Sequence, residues 1–323
     1  MYDNRAVPEL GFALSSEDFP PNELVQQAAL AERSGFAFCT ISDHYHPWIE
    51  AQGHSPFVWS VIGALSQVTE RMTVTTAVTC PTVRIHPAVI AQATATSAVM
   101  LGGRFRFGVG TGEALNEHIF GDAWPEADVR LEMLEEAIEV IRALWTGRQV
   151  SHRGRHYTVE NARIYTLPDE PPPIYVSGFG PKSIELAGRI GDGYVSTMPD
   201  AEMVRRFREA GGAGKPCQAG TKVCWGEDEA AARRIAYERW PNQALPGELA
   251  QVLPNPAHFE QAVELISEEA FAETTACGPD PERHLAQLRA YAEAGYDELY
   301  VQQIGPDQEG FFRFYEREVL PRL

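Results

Sequence analysis

Short apolar segments alternate with helical patterns along almost the whole chain, and no other feature restricts its fold as much. Strand candidates fall at 10–14, 37–42, 72–78, 104–110, 174–177, 193–196, 222–225 and 298–302. Helical patterns occupy 22–34, 58–69, 87–101, 129–145, 181–190, 201–210, 228–238 and 281–294. Brief apolar runs bounded by turn residues read as strands buried on both faces, which is the condition of a parallel sheet. Eight such strands, each followed by a helix, predict a (β/α)8 TIM barrel with its active site at the C-terminal strand ends. A doubly wound sheet is the competing arrangement.

Local signals agree with the helices. Pro87 suits a first helical position, and the acids of Glu126-Ala127-Asp128 favour a helix N-terminus. In the fourth helix Leu131, Leu134, Ile138, Val140 and Ile141 form an apolar stripe, with Glu135, Glu136 and Glu139 outside. Three stretches exceed the bare repeat: 48–56 after the second strand, 147–173 after the fourth and 240–271 after the seventh. The second reads as a hairpin followed by the linker Leu167-Pro168-Asp169-Glu170-Pro171-Pro172-Pro173. Insertions of this size form lids, pocket walls or subunit contacts. The whole chain, 1–323, reads as one domain.

A net charge of −18 argues against nucleic acid or an anionic membrane as partner, because phosphate binding needs excess Lys and Arg. A small-molecule substrate is expected instead. The five cysteines, Cys39, Cys80, Cys217, Cys224 and Cys277, show no zinc or CxxC spacing and read as reduced core residues. Met1-Tyr2-Asp3-Asn4-Arg5 opens no apolar leader, and no apolar run nears the ~20 residues of a membrane span. A cytoplasmic protein is the expectation.

The polar residues cluster where barrel strands should end. Ser42-Asp43-His44-Tyr45-His46-Pro47-Trp48 follows the second strand. An imidazole there can take a proton from an alcohol, with Asp43 orienting the ring or lining a cofactor site. Trp48 is either loop packing or a pocket wall that stacks on a planar ring. His44 and His46 have a metal-binding spacing, but later strand ends offer no third imidazole, so no metal is expected. Gly108-Val109-Gly110-Thr111-Gly112-Glu113 ends the fourth strand and departs from the dinucleotide fingerprint. Its glycines would let backbone approach a flat ligand and turn Glu113 inward, while Glu117 reads as a helix-dipole carboxylate. Val78-Thr79-Cys80-Pro81 forms an apolar shelf, and Ser177-Gly178-Phe179-Gly180 precedes a helix whose start, with Lys182, could hold a phosphate.

Together these runs resemble the luciferase-like barrel superfamily, most closely its branch of coenzyme F420-dependent glucose-6-phosphate dehydrogenases. The resemblance rests on Ser42-Asp43-His44-x-x-Pro47-Trp48, Gly53-His54-x-Pro56-Phe57, His86-Pro87-Ala88-Val89-Ile90-Ala91-Gln92-Ala93, the run from Gly108 to Glu117, and Ala187-Gly188-Arg189-x-Gly191-Asp192-Gly193. It implies hydride transfer between an alcohol or hemiacetal carbon, or the matching carbonyl or imine, and the deazaflavin. His44 would be the base, Glu113 the acid at the ring nitrogen, and Trp48 a stabiliser of the reacting centre. Asp43, Val78, Cys80, Asn116, the Ser177–Gly180 backbone and Lys182 would line the cofactor, with Glu17 and Thr197 toward the substrate. The resemblance also implies a cis peptide ending at Val78 and a homodimer.

The chain departs from that branch at the substrate phosphate. Thr197 is retained, but the cationic positions read Pro199-Asp200, Ala272-Glu273 and Glu309-Gly310. Acids in place of cations repel a dianion. The substrate is therefore expected to be a neutral or cationic alcohol, or its oxidised form, and not glucose 6-phosphate. Two alternatives remain: an FMN-dependent monooxygenase of the same superfamily, and a sugar-6-phosphate dehydrogenase with a diverged phosphate site.

Overall fold

The computed structural model describes residues 8–272 and 274–323. Its elements run β1 (Glu9–Leu14), α1 (Pro21–Arg33), β2 (Phe38–Ile41), α2 (Val58–Val68), β3 (Thr73–Thr76), α3 (Pro87–Met100), β4 (Phe105–Val109), α4 (Ala114–Glu117) and α5 (Ala127–Trp145). There follow β5 (Val150–Arg153), β6 (Thr158–Ala162), β7 (Ile174–Ser177), α6 (Pro181–Ile190), β8 (Gly193–Ser196), α7 (Ala201–Phe207), β9 (Cys217–Cys224) and α8 (Glu229–Arg239). The last are α9 (Leu249–Val252), α10 (Pro256–Val263), α11 (Glu268–Ala272), β10 (Ala276–Cys277), α12 (Pro281–Ala294), β11 (Glu298–Gln303) and α13 (Gln308–Phe314).

Strands β1, β2, β3, β4, β7, β8, β9 and β11 pair in that order, all parallel, and β9 pairs with both β8 and β11. The sheet therefore closes into the expected (β/α)8 barrel, with β10 pairing the C-terminal end of β9 beyond the end of β8. Glycines let aromatic rings fill the interior. A Cβ on Gly11, Gly193 or Gly220 would stand 2.3, 1.7 or 1.8 Å from the rings of Phe38, Tyr175 and Tyr300 respectively. Small-against-large alternation makes the barrel a packed core and not a pore. Near the strand starts, Glu298 accepts from Arg106 at 2.7 Å and from Gln218 at 2.9 Å, a buried polar plug. In such barrels the C-terminal strand ends are where a site is expected.

Outside the barrel, α5 buries Leu134, Ala137, Ile138, Val140, Ile141 and Leu144, as its stripe predicts. His86 caps α3 through Nδ1, which accepts from the Ala88 N–H at 3.1 Å, and Pro87 occupies the first turn. The segment 147–173 does form a hairpin, β5 antiparallel to β6.

The seventh repeat needs correction. The helix predicted at 228–238 forms as α8, yet it is not a barrel helix. It buries only Ala232 and Ala236, in a separate small cluster with Trp240, Phe271, Cys277 and Ile304. The barrel helix after β9 is α12, which buries Leu285, Leu288 and Tyr291, and the eighth is α13, absent from the sequence reading. Alanine, arginine and glutamate favour a helix without saying what it packs on. The insertion on the β9 loop thus spans 225–280. All five cysteines are buried and unpaired. Among the described residues no helix is long and apolar enough to cross a membrane.

Candidate active site

His44 stands just beyond β2, buried under the mouth of the barrel. Its Nδ1 lies 3.0 Å from Oε1 of Glu17, which follows β1, with the oxygen off the ring N–H axis. Nε2 has no hydrogen-bond partner among the described residues. Glu17 Oε2 accepts from the Ser42 hydroxyl at 3.0 Å, which fixes the carboxylate.

Burial disfavours the imidazolium, but the Glu17 carboxylate outweighs it, with smaller help from Glu113 and Asp43, so the His44 pKa is raised. The balance is close. Two unit charges at that separation attract by about 5 kcal/mol at an effective dielectric near 20, comparable with the several kcal/mol it costs to bury an ion. Burial likewise raises Glu17, and His44 more than reverses it, so Glu17 is held below the usual carboxylate range.

Asp43 does not orient this ring, contrary to one of the two sequence expectations. Its Oδ1 accepts from Arg84 at 2.8 Å and its Oδ2 from the Thr79 hydroxyl at 2.8 Å. Arg84 also ties down Glu117, whose Oε2 accepts the Arg84 N–H at 2.8 Å. Glu117 is therefore a buried strut and not an exposed dipole carboxylate; burial lifts its pKa to about 7 against the pull of Arg84. This network locks the loops after β2, β3 and β4 together.

Glu113 immediately precedes α4, half-buried, and its side chain makes no cap. The glycines before it serve packing. A Cβ on Gly108 would stand 1.8 Å from the Thr76 carbonyl oxygen, and one on Gly110 2.8 Å from Val78. They press β4 against the Ala77–Val78 peptide, which is cis as the resemblance implies. So Val78, and not bare glycine backbone, is what a flat ligand would meet. Gly112 does need its freedom, with φ of 77°.

Asn116 is buried, and its Oδ1 accepts from the Tyr45 and His46 N–H groups at 2.9 and 3.1 Å. Its Nδ2 is buried with no partner among the described residues. An orphaned buried amide donor costs about 1–3 kcal/mol unless an acceptor takes it up. His46 is spent on structure, its ring Nδ1 lying 2.9 Å from the Leu115 carbonyl oxygen. Trp48 meets His44 edge-to-face at 5.0 Å between centroids and Phe259 of the insertion at 5.2 Å. It is a wall between the base and the insertion.

The remaining predicted residues scatter. Cys80 is buried behind Gly112. Ser177 ends β7 near Gly110 and Gly178 follows against Ser183, whereas Phe179 is exposed and the Gly180 N–H is spent on the Ser183 hydroxyl at 3.1 Å. Lys182 is exposed and paired with Asp128 at 2.7 Å, so it does not join the mouth. Thr197 is exposed, and its carbonyl accepts from Tyr291. Asp200 caps α7 and Glu309 opens α13, so the acids at former cation positions are helix-end residues. Glu273 lies outside the described residues.

Three residues at the mouth were missed. Asp18 Oδ2 accepts from the Trp240 indole N–H at 2.6 Å, and burial pushes its pKa up to about 6. Lys222 Nζ lies 4.5 Å over the Trp240 ring. A lysine within the otherwise uncharged strand Cys217–Cys224 was the available signal.

The luciferase-like monooxygenase family profile matches residues 6–298. A protein of Microbacterium testaceum (strain StLB037) named F420-dependent glucose-6-phosphate dehydrogenase is 38% identical over 326 residues, covering 97% of this chain and 96% of its own. A Nocardia farcinica (strain IFM 10152) protein of the same name is 37% identical over 330 residues, covering 98% of each. A solved F420-dependent secondary alcohol dehydrogenase, in complex with an F420-acetone adduct, matches with a TM-score of 0.90 at 28% identity, over 97% of this chain and 98% of that one.

Proposed function

The chain belongs to the luciferase-like monooxygenase family, and on that premise we propose that it oxidises an alcohol or hemiacetal carbon, or reduces the matching carbonyl or imine, at His44. It is an F420-dependent oxidoreductase acting on CH–OH donors. The observation that carries the reading is the His44–Glu17 pair, which engages Nδ1 and leaves Nε2 for a substrate hydroxyl.

The site residues fit the cofactor. Asn116 has a buried amide donor lacking an acceptor among the described residues, and Val78 offers an apolar surface beside Gly110 and Ser177. Asn116, Val78 and the Ser177–Gly178 backbone would hold it. F420 when bound supplies a two-electron hydride acceptor. This chain's residues handle protons and position. His44 Nε2 takes the hydroxyl proton, and Glu17 stabilises the imidazolium that results. Glu113, on the β4 side of the mouth, would be the acid facing the cofactor, and Trp48 would confine the reacting carbon against His44. Asp43 acts indirectly, by fixing Arg84 and the loop that carries His44.

The substrate is an alcohol other than glucose 6-phosphate; Asp200 and Glu309 in place of cations support this. The enzyme is a single-domain cytoplasmic homodimer in this reading. Outward-facing Val68, Val89, Val99 and Met100 on α2 and α3 support a covered face there.

Titration with F420 and with FMN, followed by a panel of alcohols and sugar phosphates monitored by deazaflavin absorbance, tests the proposal. Binding of F420 and its reduction by alcohols is expected. Binding of FMN alone, or faster turnover with sugar phosphates, overturns it.

A further inference from the structure

The proposed chemistry leaves Lys222 unused. In β9, Thr221 faces outward, where its hydroxyl meets Gln287 of α12. The next residue therefore points into the barrel. Its register partner on β11 is Gln302, whose amide donates to the Ser15 hydroxyl at 3.1 Å, at the level of Glu17 and Asp18. Lys222 thus enters the mouth from β9, across the barrel from β3 and the Val78 shelf.

Its ammonium rests on the Trp240 ring and forms no ion pair with a carboxylate of the described residues. Of the two nearby acids Glu17 is fully engaged, whereas Asp18 is bonded through Oδ2 alone and its Oδ1 has no hydrogen-bond partner among the described residues. Glu17 holds His44 and Ser42, and Asp18 accepts from Trp240 and from Ser15 at 2.8 Å. Lys222 is half-buried, and an ammonium drawn partly out of water with no hydrogen-bond acceptor among the described residues gains from one. Three donors in one ammonium call for oxygen, and Glu17, which pairs with His44, also stands close enough to act on Lys222, so the two residues share one mouth.

We propose that Lys222 is a specificity-determining residue: its ammonium donates to a second oxygen of the substrate, so the enzyme prefers alcohols bearing a further oxygen function over simple mono-ols. The inference rests on the alcohol-oxidoreductase reading and narrows its substrate class. The alternative is a purely structural lysine that offsets Glu17 and Asp18.

Matched pairs separate the two: butane-1,3-diol against butan-2-ol, and cyclohexane-1,3-diol against cyclohexanol. Affinities for the F420-loaded protein are measured by calorimetry, and kcat/KM by F420 reduction. The wild type should favour each diol by about tenfold or more, the scale of one hydrogen bond to a charged group. Lys222→Met should bring that preference to within about twofold of unity while leaving the mono-ols and F420 affinity unchanged. Lys222→Gln, which keeps a donor, should fall between. Absence of a preference in the wild type, its persistence in Lys222→Met, or parallel loss for mono-ols, diols and F420 overturns the proposal. Failure of the cofactor reading shows separately, as absence of F420 binding to the wild type, and the same calorimetry without F420 then decides on Lys222.

Discussion

His44 Nδ1 lies 3.0 Å from Glu17 Oε1, although one residue follows β2 and the other β1. These strands are neighbours in the barrel, with Leu14 in register with Ile41, so the residues just past them meet at the mouth. The pairing assigns Glu17 to the base itself and not only to the substrate pocket. It also sets the pH at which the base works.

In the proposed reaction His44 must be neutral, so its raised pKa should make kcat/KM fall off early on the acid side. In Glu17→Gln the carboxylate no longer favours the imidazolium, so burial dominates and the acid limb moves to lower pH. The maximal rate should fall by about 10²-fold, because a weaker base accepts the proton less well. A kcat/KM profile against pH reads both effects. An unmoved limb would show that another group titrates.

Replacing His44 by Ala should leave F420 affinity within about twofold and reduce turnover by about 10²–10⁴-fold, the usual contribution of a positioned general base. Fluorescence titration of F420 and steady-state rates check the two halves independently. Full turnover would remove His44 from the mechanism.

Asn116 does two jobs with one amide. Its Oδ1 holds the Tyr45 and His46 N–H groups, and its Nδ2 has no partner among the described residues. Asn116→Ala should lower thermal stability by leaving two donors unsatisfied, about 1–3 kcal/mol each if fully buried. It should also weaken F420 binding by about tenfold, the effect of one lost hydrogen bond. Loss of stability with unchanged F420 affinity would confine Asn116 to the loop.

Arg84 neutralises two buried acids, Asp43 and Glu117. Arg84→Met strands both, and breaking a buried pair costs about 3–5 kcal/mol. Urea unfolding near pH 7 should show that loss. The loss should shrink in mildly acid solution, since Glu117 protonates near 7.

His284 is buried and neutral. Its ring nitrogens lie 3.0 Å from the Tyr315 hydroxyl and 3.1 Å from the Gly278 carbonyl oxygen, and burial pushes its pKa down to about 4. The unfolded chain binds this proton near pH 6.5 and the folded one only near 4, so stability declines as pH falls through that window. The contribution is about 3 kcal/mol at the acid end. His284→Gln should flatten that part of the curve in denaturant unfolding measured from pH 7 to 4.

Much of the barrel was legible because its strands are local. The runs at 174–177 and 193–196 coincide with β7 and β8, each a short apolar segment between turn signals. The exception was α8, where strong helix-forming residues looked like a barrel helix and α12 was assigned to the following repeat. Of the site, His44, Glu113 and Trp48 stood out because they follow strand ends. Lys222 stood at the first position of the strand read at 222–225, whereas β9 runs from Cys217 to Cys224, and only the pairing of that longer strand turns the lysine inward.

The sequence by itself determined the repeat, the strand ends and the residue types capable of proton transfer. These follow from the hydrophobic period and from side-chain chemistry, both readable over a few residues. Only the closed barrel decided that Glu17 and not Asp43 pairs with His44, that Arg84 takes Asp43 and Glu117, and that Lys222 points inward. Those choices depend on strand register and barrel closure, which bring distant segments within hydrogen-bonding range and let burial and charge select among several nearby acids.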